Sequence, residues 1–209
     1  VLPVVLALAE WAPRGEVGGA ALLAAFATGL EVGCRVGGSL VPGSPERSVQ
    51  IAALGGAFGA AASAGRLLGL DAAGMDRAFV IAAAQPCCPS GWSGGPASGH
   101  DLASAAPHGL LAALLAAQCF PGAERAPDAP CGGIGEPGGA IDEDMLCAGL
   151  GTRWRSVAAR VRTGPDSGFE SRAAPVLGAE RARWLAELCQ YIDRVPNARV
   201  LAELAAGDA

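Results

Sequence analysis

Lysine is absent from this chain: all fifteen basic residues are arginine. A GC-rich coding sequence accounts for that bias, but its chemical consequence stands: no step can rest on a lysine ε-amino group. Histidine is scarce, with only His100 and His108, and no CxxC pair occurs, so no zinc-ligand spacing is present. The seven cysteines (Cys34, Cys87, Cys88, Cys119, Cys131, Cys147 and Cys189) are odd in number and irregularly spaced. They read as reduced thiols of a cytoplasmic protein, not as a disulfide framework. Cys34, Cys119, Cys147 and Cys189 stand in apolar helical context and are expected in the core. Aromatic residues make up only 5% of the chain, so that core has to be built from Ala, Leu and Val. The net charge is −5 and no basic stripe occurs, which argues against nucleic acid as a partner. Neither Gly-rich stretch leads into Gly-Lys-Ser/Thr, so no phosphate loop is expected. No cofactor and no metal are expected. A charged segment followed by an apolar run, the mark of a signal peptide, is also missing. The chain begins at Val1, without Met, in what reads as the middle of a helix, and we expect residues before it.

What the chain does have is small apolar residues in long runs. Hydrophobic residues make up 51% of its 209 positions, enough for one domain with a sizeable core. The stretch Ser48 to Gln85 predicts two apolar helices joined by a turn at Gly69-Leu70-Asp71, with Asp71 capping the second. The first is mostly Ala and Gly from Ala52 to Gly65, so it cannot fill space with its own side chains. Its partners must approach backbone to backbone, and it is predicted to be the buried central helix. Residues 48–65 also carry no charge, reach membrane-spanning length and place Gly55 and Gly59 at GxxxG spacing. Ala and Gly insert far less favourably than the Leu, Ile and Phe of real spans, so no membrane partner is expected.

Further helices are predicted at Val1 to Trp11, Glu16 to Val41, Ser104 to Phe120 (Ser104 as N-cap, Pro107 in the first turn), Asp142 to Gly149, Ala179 to Ile192, and from Pro196-Asn197 through Leu204. Glu31 and Arg35 form an i,i+4 pair on one helix face, worth about 0.2–0.5 kcal/mol. Pro42 to Pro45, Pro86 to Gly99, Pro121 to Gly139 and Thr163 to Pro175 read as loops. With no period-two run, the fold class is all-α: a single helical domain over 1–209, with a main core at 1–162, a short linker at 163–178 and C-terminal helices at 179–209.

The order of these segments resembles the MmgE/PrpD family, specifically its large helical domain. The resemblance is carried by VLPVVLALAE (1–10), LLAAFATGLEVGCRVG (22–37), GGAFGAAASAGRLLGLDAAGM (55–75), IAAAQ (81–85), HGLLAALLAAQCF (108–120), LGTRW (150–154) and WLAELCQYIDRVPNARVLAELA (184–205). It implies a homodimeric, cofactor-independent lyase or isomerase. Members include 2-methylcitrate dehydratase, cis-aconitate decarboxylase and iminodisuccinate epimerase, whose sites lie between the helical domain and a smaller α/β lid. The resemblance also implies departures. The family's acid/base histidine would precede Val1. A second histidine position falls on Gln50. The lysine-containing run falls at Ser98 to Leu102, which reads Ser-Gly-His-Asp-Leu. After Gly151-Thr152-Arg153-Trp154, where the family enters its lid, residues 155–178 lead straight to the C-terminal helices.

Proton removal next to a carboxylate needs a positioned base and a partner for the developing charge. The candidates are His100 as base or acid with Asp101 as its carboxylate partner. His108 is a second partner for Asp101, if one helix carries both. Gln50, with Arg47 and Ser48, is a candidate hydrogen-bonding group for a carbonyl, and Trp92 a cover for an apolar ligand. The alternatives are a solvated His100, Asp101 as a helix-start residue and Trp92 as a loop anchor. Cys87-Cys88 has no evident base nearby. The arginines from Arg153 to Arg162 form either a solvated face or an anion site. The expected function is a repurposed MmgE/PrpD-like enzyme catalysing elimination, isomerisation or cyclisation of a small-molecule substrate in a specialised biosynthetic pathway. The alternative is a non-catalytic dimeric relic that binds a small molecule or a protein.

Overall fold

The computed structural model describes residues 1–11, 16–40, 45–85, 96–121, 141–158 and 167–206, with backbone alone at 45–48, 50, 96–101, 157–158, 167–168 and 170. Its α-helices are α1 (Leu2–Trp11), α2 (Gly19–Gly38), α3 (Pro45–Leu68), α4 (Ala72–Ala84), α5 (Pro96–Ala117), α6 (Glu143–Cys147), α7 (Arg155–Ala158), α8 (Ser167–Leu177), α9 (Ala179–Gln190) and α10 (Arg199–Ala205), with a 3-10 turn at Ile192–Arg194. No strand occurs among the described residues, and the fold is all-α.

A helix of Ala and Gly offers a surface low enough for other backbones to lie against it, and α3 is used that way on three sides. Ala57, Ala60, Ala61, Ser63 and Ala64 are fully buried. Against α2 the packing is antiparallel: Gly29 meets Gly59 and Gly33 meets Gly55. A Cβ at Gly33 would lie 2.8 Å from the Gly55 carbonyl oxygen, and one at Gly55 would lie 2.7 Å from the Gly33 oxygen. The Gly55/Gly59 spacing therefore seats a neighbouring helix within the domain. Helices α2 and Ile51–Leu68 are each long and apolar enough to cross a membrane, but 67% of the latter is buried inside this core. Such a helix gains its stability from tertiary packing, since Gly in a helix interior costs about 1 kcal/mol against Ala.

Helix α5 runs parallel to α3: Gly56 faces Ala105, Gly109 lies against Ala57, Ala60 and Ala61, and Ala113 shares a core cluster with Ala60 and Ala64. Helix α4 returns antiparallel after the Gly69 turn (φ +71°) and is capped as expected, Gly74 N donating to Asp71 Oδ1 at 2.7 Å. Ala78 and Ala82 then pack on Ala112 and Ala116. The C-terminal helices close over α1 and α2, where Leu185, Ala198 and Leu201 share a cluster with Val5, Leu22 and Ala25.

Four expectations need correction. Helix α5 starts at Pro96, so Ser104 is not its N-cap and Pro107 sits in its interior. Proline there removes one backbone hydrogen bond, but the flat α3 surface grips the helix on both sides of it, at Ala105 and Gly109. Pro45 opens α3, a position where proline's missing N–H costs nothing, and does not belong to a loop. Residues 167–177 form α8 where a loop was expected, with Phe169 and Leu177 packed on the core. Cys119, Cys147 and Cys189 are exposed and Cys34 is only half-buried. Cys147 and Cys189 fall at the ends of short outer helices and Cys119 just past the end of α5, so apolar context did not translate into burial.

Candidate functional site

The parallel register of α3 and α5 sets the first turns of the two helices side by side. Gly56 opposite Ala105 implies that backbone position 50 lies alongside positions 99–101, at one end of the bundle. The backbone at Gln50, His100 and Asp101 is helical, and so is that at Arg47 and Ser48. The side chains of all five lie outside the described residues, as do Trp92, Cys87 and Cys88 entirely. His108 is described. It is half-buried on α5, and its carbonyl accepts a 3.1 Å hydrogen bond from Gln85 Nε2, tying the end of α4 to α5. The helix is continuous through Pro107, so positions 101 and 108 are two turns apart on one face.

Among the described residues, the best-developed polar cluster is built around the Glu31–Arg35 pair of α2. Glu31 and Arg35 are 9% and 3% exposed, and Arg35 Nε donates to Glu31 Oε1 at 2.6 Å. The guanidinium also donates from Nη1 to the carbonyls of Leu146 (2.9 Å) and Ala148 (3.2 Å), and from Nη2 to Arg153 O (2.7 Å). Glu31 accepts from Arg155 N at 2.9 Å and from both the backbone N and the hydroxyl of Ser156 at 3.0 Å. Burial by itself would raise the Glu31 pKa. The donors from Arg155, Ser156 and Arg35 outweigh it and hold the carboxyl at about 2. This clasp fastens residues 146–156 onto α2. One signal for it was present: Glu31 and Arg35 are the only charges in the twenty-residue α2. The arginine run after α6 is used here through its backbone, while Arg160 and Arg162 lie outside the described residues.

The concavities lined by described residues include two of ligand size. A groove of about 740 Å³ lies between α9 and α10, with Arg194 stacked over Tyr191 at 5.3 Å. A more closed cavity of about 480 Å³ lies among α2, α3, α4 and the strap 141–150. Val36, Leu40, Leu54, Phe58 and Phe79 form its inner wall, and Ile141, Leu146, Cys147 and Leu150 its outer one. Ring centroids of Phe58 and Phe79 are 5.6 Å apart at an interplanar angle of 31°. Among the described residues, Arg35 and Ser39 are its only lining residues outside the apolar set and Cys147. Sequence reading missed this cavity because its walls come from segments far apart in the chain.

An all-α domain wound around a glycine- and alanine-rich rod, with a helix pair closing over the first two helices, is the class of protein that this fold defines. Comparison with protein families then identifies it further: the MmgE/PrpD N-terminal domain model matches residues 1–135, from α1 through α5. The chain belongs to the MmgE/PrpD family. Comparison with curated proteins and with solved structures gave no match.

Proposed function

We propose that this MmgE/PrpD chain is a cofactor-independent lyase or isomerase, repurposed for an elimination, isomerisation or cyclisation of a small molecule in a specialised biosynthetic pathway. It acts as a cytoplasmic homodimer. The observation that supports this reading is the parallel register of α3 and α5, in which the helical positions of Gln50, His100 and Asp101 share one end of the bundle. In this reading His100 removes or returns a proton next to an electron-withdrawing group, with Asp101 as its carboxylate partner. Gln50 and Ser48 donate hydrogen bonds to the oxygen where charge develops, with Arg47 beside them. His108, two turns along the same face from Asp101, is the second proton carrier, and Trp92 covers the substrate.

The test is proton exchange in D₂O, followed by NMR, over a panel of polycarboxylates and of less polar polyketide-like acids. We expect exchange with a less polar acid, lowered roughly 100-fold in His100→Ala and Asp101→Asn at unchanged melting temperature. Ordinary turnover of a tricarboxylate, or exchange indifferent to both variants, would overturn the reading. A second reading, a non-catalytic dimeric relic that binds a small molecule, is favoured by the apolar cavity beside α3. Saturable binding of a panel member with no exchange at all would select it.

A further inference from the structure

The cavity between α2 and the 141–150 strap has a chemistry of its own, and it does not depend on the reaction proposed above. We propose that it is a binding site for an uncharged, mainly hydrocarbon small molecule. Its volume of about 480 Å³ is far beyond a packing defect and within the range of about 300–1,000 Å³ typical of ligand pockets. The tilted pair of Phe58 and Phe79 gives it an aromatic wall.

The ligand's class follows from what the polar lining already does. The Ser39 hydroxyl donates to Val36 O at 2.8 Å, and the Ser39 carbonyl accepts from Asp142 N at 3.0 Å. Arg35 is engaged at Nε and at both terminal nitrogens by Glu31 and by the carbonyls of 146, 148 and 153. Among the described residues the wall therefore holds no uncommitted counter-charge, and there a charged guest would lose its hydration without replacement. Ile141, Leu146, Cys147 and Leu150 of this wall lie beyond the 1–135 stretch matched by the family model. Cys147, exposed and without a disulfide, sets a thiol on that wall.

The experiment uses N-phenyl-1-naphthylamine, an uncharged fluorophore that brightens in apolar surroundings. We expect saturable binding at one site per chain, with affinity lowered roughly tenfold by Leu150→Trp. Leu150 is 63% exposed, so this change fills the mouth without disturbing the core. Val176→Trp, at a residue 79% exposed and outside the cavity, should leave the affinity unchanged. In the wild-type chain the fluorophore should slow N-ethylmaleimide labelling of Cys147, read peptide by peptide, while Cys119 and Cys189 label at their former rates. The anionic analogue 1-anilinonaphthalene-8-sulfonate should bind roughly tenfold more weakly. Equal binding by Leu150→Trp, unprotected Cys147, or a sulfonate bound as tightly as the amine would each overturn the proposal.

Discussion

Arg35 donates its Nε–H to Glu31 Oε1 at 2.6 Å across one turn of α2, and around this pair a segment more than a hundred residues later is pinned. On an exposed helix such a pair contributes a few tenths of a kcal/mol; here both side chains are buried and between them they satisfy three carbonyls, two backbone amides and a hydroxyl. Removing one partner leaves the others unmatched, which in buried pairs costs about 3–5 kcal/mol. We expect Arg35→Met to lose about that much in urea denaturation. Glu31→Met/Arg35→Met should lose clearly less than the sum of the two single changes, with a coupling of about 2 kcal/mol. Amides of 146–156 should exchange faster in both single variants. An additive cycle would show that the clasp is not a unit.

The same cluster sets a pH dependence. Glu31 titrates at about 2 in the folded chain and near 4.3 unfolded. Its folded value is depressed, so its contribution is fully present above about pH 4.5 and is lost as pH falls toward 2. The full shift corresponds to roughly 3 kcal/mol; allowing for solvent screening, about 1–2 kcal/mol is expected. The stability gap between wild type and Glu31→Gln should be flat above about pH 5 and shrink below it. A gap that stays constant down to pH 2 would show that the carboxylate is not stabilised by these donors.

How far the fold could be read from sequence depended on whether the deciding contact was local. The Gly69 turn, the Asp71 cap and the small-residue face of α3 follow from residues within one turn of each other, and each was anticipated. The start of α5 was not, because a proline in a helix interior is tolerated only when a partner surface holds it. The burial of Glu31 and Arg35 depends on carbonyls at 146–153, which spacing along α2 cannot reveal. The same holds for the exposed cysteines, whose apolar neighbours face a core that they do not. Of the candidate site, the helical backbone at 47–50 and 100–101 and the continuity from 101 to 108 are described. The cavity wall of Phe58, Phe79 and Leu146 exists only once four segments have come together.

The close seam between α2 and α3 makes a sharp prediction about alanine. A Cβ at Gly33 meets the Gly55 carbonyl at 2.8 Å, a backbone atom that cannot swing away. Gly33→Ala should therefore force the helices apart and cost about 1–3 kcal/mol, despite alanine's better helix propensity. At Gly37, one turn further along, the nearest atoms to a Cβ are Ile51 Cγ2 at 3.7 Å and Ile51 O at 3.9 Å, ordinary contacts. Gly37→Ala should be neutral or stabilising by up to about 1 kcal/mol. Chemical denaturation of the two variants side by side reads the contrast, and equal effects would mean that the seam is looser than described.

Two helices end in the same way with different residues at the critical position. After α3, Leu70 N donates to Gly65 O and Gly69 N to Arg66 O, with Gly69 at φ +71°. After α5, Phe120 N donates to Leu115 O and Cys119 N to Ala116 O, with Cys119 at φ +54°. Both are left-handed C-terminal caps, a position glycine takes without penalty and a residue with a Cβ does not. Cys119 is exposed, so replacing it removes no buried packing. Cys119→Gly should stabilise the chain by about 1 kcal/mol, and Gly69→Ala should destabilise it by a similar amount. In the usual case glycine destabilises a helical segment and alanine supports it, so both signs here run opposite to propensity. Melting curves of the two variants check them together. A loss of stability in Cys119→Gly would mean that its side chain contributes more to this helix end than its backbone conformation costs.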